Sequence, residues 1–373
     1  MPIISGHSHI EDSRIEDSRI HVLVVDDSAV VRQVLQTVLS RGAGMSVTAA
    51  ADPLIALRKM KEVRPQVIVL DLEMPRMDGL TFLRKVMTED PIPTLICSSV
   101  AGSGTATALR ALQEGAVGII AKPKLSVGDF LHESAEMLID AVRSAAGVRV
   151  CRKVPFAVPP ISRPSVAKPP VTRGHLPPLP AEAGRIVAIG ASTGGTDALA
   201  SILSALPEDA PGIAVVQHMP EVFTLAFAKW LNTFCRITVK EAEDGDIISP
   251  GKAFIAPGNR HMSVCRTGQR LSIQISDGPP VSRHRPSVDV LFRSLAQIAG
   301  REAMGVILTG MGDDGAEGLL AMRSAGAYTI AQDEATCVVF GMPKEAIHRG
   351  AAHVILPLES IPAAVTEFGS LAR

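Results

Sequence analysis

Runs of aliphatic residues alternate with amphipathic stretches through the first 150 residues of the chain. Each run has the length of a strand, and the stretches between the runs place apolar residues three and four positions apart, as in a helix with one buried face. The predicted strands are HVLVV (21–25), MSVTAA (45–50), QVIVL (66–70), PTLIC (93–97) and AVGIIA (116–121), and the predicted helices span about 28–41, 53–63, 79–88, 103–114 and 127–146. Five successive strand and helix units predict an α/β domain with a doubly wound parallel sheet.

The same alternation returns in the second half of the chain. The aliphatic runs RIVAI (185–189), GIAVVQ (212–217) and MGVIL (304–308) each end in a polar or glycine-rich segment. Aromatic residues make up only 3% of the chain, so the cores of both halves should be aliphatic, as in sheets covered by Ala- and Leu-rich helices. We therefore expect a second open parallel sheet.

A proline-rich segment divides the two halves. Nine prolines lie between Pro155 and Pro180, which excludes a helix or a central strand and favours an extended linker. The duplicated pentapeptide IEDSR at 10–19 is charged and has no apolar face, which predicts a disordered leader. The predicted segments are a leader (1–19), a first domain (20–146), a linker (147–183) and a second domain (184–373).

Composition narrows the possible function classes. A formal net charge of -1 offers no basic surplus for nucleic acid or an anionic membrane. No apolar run approaches the length of a membrane span, and the first residues lack a signal-peptide core. The five cysteines are scattered without a CxxC pair, which argues against a disulfide framework or a zinc site. We expect a cytoplasmic protein that neither binds nucleic acid nor inserts into a membrane.

Polar residues follow the predicted strands of the first sheet. Asp26 and Asp27 come after the first strand, Asp71 after the third, Ser98 after the fourth and Lys122 after the fifth. The C-terminal ends of parallel strands form the binding crevice of such a sheet. Converging carboxylates repel one another unless a cation lies between them, and oxygen ligands suit Mg²⁺. With the lysine, they predict a phosphoryl site; the alternative is that the aspartates and the serine only cap helices.

The turn GASTGG (190–195) makes Ser192 a candidate nucleophile. Its spacing differs from the dinucleotide-binding pattern G-x-G-x-x-G, and it has no P-loop lysine. It does match G-x-S-x-G, the turn that lifts a catalytic serine above the end of a sheet. The alternative is an ordinary serine that caps a helix.

His218 and the acidic pair Asp313 and Asp314 also follow predicted strands. A serine hydroxyl needs a base to take its proton, and the base needs a carboxylate to orient it, so these residues form a candidate triad. Taken singly, the histidine is typical of a core residue and either aspartate of a helix cap. Backbone N–H groups of Thr193 and Met311 are candidate oxyanion donors. The chain order Ser, His, Asp differs from that of α/β-hydrolases, which disfavours a standard lipase or esterase.

The segments LVVDDSAVVRQ, VIVLDLEMPRMDGL, CSS and AKP resemble the receiver domain of two-component response regulators, over about residues 20–146. The resemblance implies a flavodoxin-like fold. It also implies roles for the five strand-end residues: Asp71 as phosphoacceptor and metal ligand, Asp26 and Asp27 as metal ligands, Ser98 as the switch hydroxyl and Lys122 as the phosphate contact. Many receivers have an aromatic residue three positions before the lysine; this chain has Ile119, so the usual aromatic switch is not implied.

The segments IGASTGGTDAL, VVQHMP, FIAPGNRHM, RHRPSVDVLF, LTGMGDDGAEGL and QDEATCVVFGMPKEA closely resemble the catalytic domain of the chemotaxis protein-glutamate methylesterase family, over about residues 184–360. The resemblance implies a Rossmann-like fold with Ser192 as nucleophile, His218 as general base and acid, and Asp314 as the orienting carboxylate. Asp314 is preferred to Asp313 because the family's aspartate directly precedes the last glycine of G-M-G-x-D-G.

This second resemblance implies a phosphorylation-regulated serine hydrolase. Its substrates would be glutamyl methyl esters on methyl-accepting chemoreceptors, with release of methanol, and in many members also receptor glutamines, which are deamidated. A chemotaxis histidine kinase would be the phosphodonor. Mg²⁺ would serve phosphorylation of the receiver, and no cofactor would serve the esterase reaction. Arg283, His284 and Arg285 suggest either a cationic rim facing acidic receptor helices or a solvated loop.

Other outputs fit the second half less well. A DNA-binding output would need a basic helix-turn-helix, and a nucleotide-dependent oxidoreductase would need a phosphate-binding loop. Neither pattern occurs there. The remaining alternative is a receiver-regulated esterase that acts on a different acyl substrate.

Overall fold

The computed structural model describes residues 19–98, 104–122, 130–148, 150 and 185–370. The predicted leader (1–19) and the predicted linker (147–183) lie almost entirely outside these residues, so their boundaries stay predictions. The chain divides into two compact units, one containing the first parallel sheet and the other the second.

The first unit contains a five-stranded sheet in which all strands are parallel. Its strands are β1 (Ile20–Val25), β2 (Met45–Ala50), β3 (Val67–Leu70), β4 (Thr94–Ser98) and β5 (Gly118–Ala121). The helices that follow them in the chain are α1 (Ala29–Leu39), α2 (Pro53–Glu62), α3 (Gly79–Glu89), α4 (Gly104–Gln113) and α5 (Phe130–Ala146). The strand order β2-β1-β3-β4-β5 confirms the predicted doubly wound, flavodoxin-like sheet, whose order reverses between β1 and β3.

Short polar side chains begin three of the helices. Ser28, Asp52 and Asp78 each accept a hydrogen bond from the backbone N–H three residues later, at the starts of α1, α2 and α3. The caps of these three helices are therefore residues other than those of the predicted acidic site.

The second unit is built on a seven-stranded parallel sheet with a separate hairpin. Its strands are β6 (Ile186–Ala191), β7 (Gly212–Gln217), β8 (Thr238–Glu241), β9 (Lys252–Ile255), β12 (Ala303–Ile307), β13 (Tyr328–Gln332) and β14 (Val354–Leu356), and the antiparallel hairpin consists of β10 (His261–Thr267) and β11 (Arg270–Ser276). The helices are α6 (Gly195–Ala205), α7 (Glu221–Asn232), α8 (Val288–Ile298), α9 (Ala316–Ser324), α10 (Met342–His348) and α11 (Ile361–Ser370). The sheet order is β14-β13-β12-β6-β7-β9-β8, which confirms a second doubly wound sheet.

The direction of winding reverses between β6 and β12. The chain leaves β6 through α6 to β7 on one side, and leaves β12 through α9 to β13 on the other. Every residue of β6, β7 and β12 is buried, as expected for strands covered on both faces. Ligand sites of such sheets form at the C-terminal ends of the strands where the order reverses. Here those ends lead into the segments that contain Ser192 and Asp314.

The hairpin β10–β11 was not predicted from the aliphatic runs. Its inward-facing residues share one core cluster with the buried face of α8, including Met262, Ile273, Leu291 and Leu295. The hairpin therefore supplies the surface on which α8 packs.

Across the described part of the chain, the helices are too short or too polar to cross a bilayer.

Candidate functional site

Ser192 lies just past the central strand β6, at the start of a tight turn into α6. Its carbonyl oxygen accepts hydrogen bonds from Gly195 N (2.8 Å) and Gln217 Nε2 (2.9 Å). The turn requires glycine at position 194, where φ is 78° and an added Cβ would lie 2.4 Å from the Cβ of Val338. Gly194, and not the serine, is the N-cap of α6. The half-buried Ser192 thus belongs to the turn and not to the helix cap.

His218 follows the neighbouring strand and contacts the predicted carboxylate directly. The register pairs Ala191 with Gln217, so Ser192 and His218 are the next residues of the two strands. His218 Nε2 lies 2.8 Å from Asp314 Oδ2, whereas its buried Nδ1 has no hydrogen-bond partner among the described residues. A carboxylate only accepts, so Nε2 carries the proton of this pair and the lone pair remains on Nδ1. The ring therefore offers one basic nitrogen at the end of the strand beside Ser192.

Asp314 accepts hydrogen bonds from three further donors besides the imidazole of His218. Its Oδ1 accepts from Ser287 Oγ (2.7 Å) and Asp289 N (3.1 Å), and its Oδ2 accepts from Val288 N (2.8 Å) as well as from His218. Burial alone would raise the pKa of Asp314, but its hydrogen bond with His218, together with those from the start of α8, lowers that pKa overall. The buried group is therefore a carboxylate at neutral pH.

Asp313 has a different environment from its neighbour. Its side chain is 45% exposed, and its Oδ2 accepts a hydrogen bond from Arg349 Nη2 at 3.1 Å. The structure therefore brings Asp314 to His218 and directs Asp313 to an arginine at the end of α10.

His284 lies flat against the ring of His218. The two ring centroids are 3.8 Å apart and the planes differ by 5°. His284 Nδ1 donates to the carbonyl oxygen of Ser282 at 2.7 Å. Burial, and secondarily the neighbouring His218, lower the pKa of His284 to about 3. The sequence suggests a basic cluster here; a half-buried neutral ring does not support a cationic rim at this position.

A strained two-residue turn carries His284 to this position. Val281 and His284 exchange two backbone hydrogen bonds, and the residues between them, Ser282 and Arg283, have φ values of 50° and 67°. Positive φ at both central positions is the geometry of a tight hairpin turn, which glycine and asparagine usually supply. Arg285 beyond the turn donates to Asn259 Oδ1 at 2.6 Å, so its guanidinium is bonded within the protein.

The predicted oxyanion residues belong to the turn of Ser192 and to a loop that packs against it. Thr193 follows it in the turn, and Met311 follows Gly310, where an added Cβ would lie 2.7 Å from the Cβ of Ser192. Gly310 N donates to the carbonyl oxygen of Val339 (3.0 Å), which holds this loop in place. The structure therefore places Thr193 beside the serine in the chain and Met311 one residue from a glycine that packs against it. Their role as N–H donors stays a prediction.

The five predicted residues of the first unit converge at the C-terminal edge of its sheet. Asp26, Asp27 and Asp71 present oxygen atoms within 4.8 Å of one another. Lys122 Nζ lies 2.7 Å from Asp71 Oδ2 and 3.1 Å from Asp26 Oδ2. Ser98 is buried at the end of β4, where its carbonyl oxygen accepts from Lys122 N at 2.9 Å.

The charges of this site are only partly balanced. Burial raises the pKa of Asp71 despite its hydrogen bond with Lys122. Burial would lower the pKa of Lys122, but its contacts with Asp71 and Asp26 raise it overall. Asp26 Oδ2 is a buried oxygen. It forms an ion pair with Lys122 but has no hydrogen-bond partner among the described residues. Clustered hard oxygens with one such atom fit a small divalent cation such as Mg²⁺.

Comparison with known proteins identifies both units. Residues 187–365 match the CheB methylesterase family, and residues 22–128 match the response regulator receiver domain. Protein-glutamate methylesterase/protein-glutamine glutaminase 1 of Anaeromyxobacter dehalogenans is 57% identical over 92% of this chain and 97% of its own length. Enzyme 3 of that name in Geobacter metallireducens is 54% identical over 92% of this chain and 97% of its own length. Enzyme 2 of that name in Xanthomonas campestris pv. campestris is 55% identical over 90% of this chain and 97% of its own length.

The depressed pKa of His284 predicts a specific loss of stability in acid. With a pKa of about 3 in the folded protein, the ring stays neutral where an unfolded histidine, with a pKa of about 6.5, takes up a proton. Stability therefore falls as the pH drops below 6.5, by up to about 1.4 kcal/mol per pH unit for this group. Between pH 7 and pH 5, His284→Gln should lose about 2 kcal/mol less unfolding free energy than the wild type.

Denaturant titrations followed by tryptophan fluorescence measure this difference, because the single tryptophan, Trp230, lies in α7 of the same unit. The exposed His348→Gln is the matched control and should keep the wild-type pH dependence. An equal pH dependence in His284→Gln would contradict a neutral ring at this position.

Proposed function

We propose that this chain, which belongs to the protein-glutamate methylesterase/protein-glutamine glutaminase family, is a serine hydrolase that demethylates glutamyl methyl esters of chemoreceptors under the control of its receiver unit. The observation that carries the proposal is the orientation of His218. Its Nε2 is occupied by Asp314, and its Nδ1, at the end of the strand beside Ser192, is unpartnered among the described residues. A receiver-regulated esterase with a different acyl substrate is not favoured, because the relatives that match over nine-tenths of the chain carry the methylesterase name.

The acyl-transfer steps follow from these positions. His218 Nδ1 takes the proton of Ser192 as the serine oxygen bonds to the γ-carbonyl carbon of the substrate. The carbonyl π bond opens, and N–H groups of Thr193 and Met311 donate hydrogen bonds to its oxygen, which gains negative charge. Asp314 stabilises the imidazolium, which then protonates the departing methoxide to give methanol. Water then loses a proton to the same nitrogen as its oxygen bonds to the acyl carbon. The bond from that carbon to the serine oxygen breaks, the imidazolium returns the proton to the serine, and the glutamate is released.

Deamidation of glutamine uses the same centre. The acceptor carbonyl has the same position in the side chain, and only the leaving group changes from methanol to ammonia. Ammonia leaves only after protonation, so the imidazolium of His218 has a larger role in this reaction. One serine therefore serves both activities that the names of the relatives carry.

The first unit supplies regulation through Asp71. One of its carboxylate oxygens bonds to the phosphorus atom as the bond from phosphorus to the histidine nitrogen of the kinase breaks. Mg²⁺, when bound by Asp26, Asp27 and Asp71, supplies neutralisation of the phosphoryl oxygens. Lys122 contacts the added phosphoryl group, and the hydroxyl of Ser98 turns toward it. We place the reaction in the cytoplasm, with methyl-accepting chemoreceptors as substrates and a chemotaxis histidine kinase as phosphodonor.

The triad assignment predicts a ranking of four variants. Ser192→Ala should lower kcat for methanol release from methylated receptors by at least about 10³-fold, and Asp314→Asn by about 10²- to 10⁴-fold. Asp313→Asn is the matched control. It loses only a half-exposed pair with Arg349, so its rate should stay within about threefold of wild type. The exposed Ser201→Ala should be fully active. Wild-type activity in Ser192→Ala, or the reverse order of the two aspartates, would refute the assignment.

The phosphoacceptor assignment predicts an activation that depends on Asp71 and on a divalent cation. Acetyl phosphate with Mg²⁺ should form an acid-stable, base-labile acyl phosphate and raise the rate of methanol release by about ten- to a hundredfold. Both effects should disappear in Asp71→Asn and in the presence of EDTA. Asp90→Asn, an exposed aspartate that pairs with Arg64, is the control and should behave as wild type. Labelling that persists in Asp71→Asn would show that another residue accepts the phosphoryl group.

A further inference from the structure

We infer that Asp289 is a positioning residue for the proposed triad: it and Asp314 exchange helix caps between α8 and α9, and this exchange fixes the carboxylate that orients His218. The inference rests on the function proposed above. It concerns a residue that touches neither Ser192 nor His218 in any contact of the described structure.

In the first half of the exchange, Asp314 caps the start of α8. Ser287 is the N-cap residue of α8, yet its side chain makes no capping bond to its own helix. Its hydroxyl instead donates to Asp314 Oδ1 (2.7 Å), and Asp314 accepts the N–H groups of Val288 (2.8 Å) and Asp289 (3.1 Å). A residue that precedes α9 in the chain thus serves as the anionic cap of α8.

In the second half of the exchange, Asp289 caps the start of α9. The N-cap of α9 is Gly315, which has no side chain to cap the helix. Asp289, the second residue of α8, fills this role because its Oδ1 accepts the backbone N–H of Gly318 in the first turn of α9, at 2.6 Å. Each helix is therefore capped by an aspartate that belongs to the start of the other.

Close backbone packing makes the exchange possible. An added Cβ at Gly318 would lie 2.7 Å from the Cβ of Phe292 and 3.0 Å from Asp289 Oδ1. At Gly315, where φ is 89°, an added Cβ would lie 2.5 Å from a methyl group of Val288. Glycine at these two positions lets the first turns of the helices approach within hydrogen-bonding distance of each other's aspartates.

Asp289 also reaches the histidine side of the centre. Its Oδ2 accepts the hydroxyl of Ser282 at 3.3 Å, and Ser282 opens the strained turn that carries His284 onto the ring of His218. One buried carboxylate thus ties together the start of α9, where Asp314 lies, and the turn that supports the catalytic imidazole.

The electrostatics argue for a positional role. Asp289 is 2% exposed, and burial, with the neighbouring charge of Asp314, raises its pKa. Arg293 Nη2 lies 3.6 Å from Asp289 Oδ2 and is shared with Glu317 at 2.9 Å, so it offsets the charge only in part. Two carboxylates buried close together at the start of one helix destabilise the folded protein unless their oxygens accept hydrogen bonds. Here they accept the N–H groups of the two helix starts.

The test is a double-mutant cycle in the full-length chain, measured as methanol release from methylated receptors. Asp289→Ala should lower kcat by about ten- to a hundredfold with KM within about twofold, because misplacing a catalytic group by about 1 Å costs a rate factor of that size. Asp289→Asn keeps an acceptor for Gly318 N and should recover most of the rate. Glu317→Ala, which removes the surface partner of the same Arg293, is the matched control and should stay within about twofold of wild type.

The decisive comparison is made in the Asp314→Asn background. If Asp289 acts through Asp314, adding Asp289→Ala there should cost less than about threefold, because the placed carboxylate is already gone. An equal loss in both backgrounds, or a folded Asp289→Ala with wild-type kcat, would overturn the inference. If Trp230 fluorescence shows that Asp289→Ala does not fold, the same cycle is measured with Asp289→Asn. The smaller loss of kcat that this variant causes in the wild-type background must then be absent in the Asp314→Asn background. Equal methanol release by wild type and Ser192→Ala would instead overturn the proposed function.

Discussion

The buried carboxylate of Asp314 is the group on which the arrangement of the catalytic unit depends. A charge removed from water is tolerated only where donors surround it, and its four donors come from two separate parts of the chain. One is the imidazole that follows β7, and three belong to the start of α8. Satisfying this carboxylate therefore requires α8 to begin at the edge where β6 and β12 end. The hairpin β10–β11 supplies the apolar surface that holds α8 in that position.

The two sites of the chain balance buried negative charge in different ways. At the edge of the first sheet, three carboxylates cluster, one lysine pairs with two of them, and one oxygen of Asp26 lacks a hydrogen bond among the described residues. At the edge of the second sheet, peptide N–H groups and a serine hydroxyl satisfy a single carboxylate. The first arrangement suits the arrival of a cation and a phosphoryl group, which change its charge. The second keeps a fixed anion behind a histidine, which suits the proposed role of His218 as a base that gains and loses a proton.

The histidine itself is supported from its open face. The stacked ring of His284 is neutral, so it covers the imidazole of His218 without placing a positive charge against it. The turn that carries His284 has a strained backbone, because Ser282 and Arg283 both adopt positive φ. Local strain and a half-buried imidazole accompany a stack in which the two ring planes lie nearly parallel.

The sequence by itself determined the two parallel sheets and the residues at their edges. Aliphatic runs followed by Asp26, Asp71, Ser192 and His218 were sufficient, because a parallel sheet brings the C-terminal ends of its strands to one edge whatever the details of packing. Motif resemblance selected Asp314 over Asp313, and the contact with His218 agrees with that choice. Which imidazole nitrogen faces the carboxylate is a matter of ring orientation, which no spacing in the chain encodes.

Only the tertiary structure gave the parts of the site that depend on contacts between distant segments. Ser287 and Asp289 belong to a recognisable motif, but their bonds cross 27 and 29 residues of chain to Asp314 and Gly318. His284 looked like part of a basic cluster, and its neutrality follows from burial against a second ring. Periodicity reports which face of an element is buried. It does not report which helix start receives a given aspartate, because that is decided by how closely α8 and α9 pack.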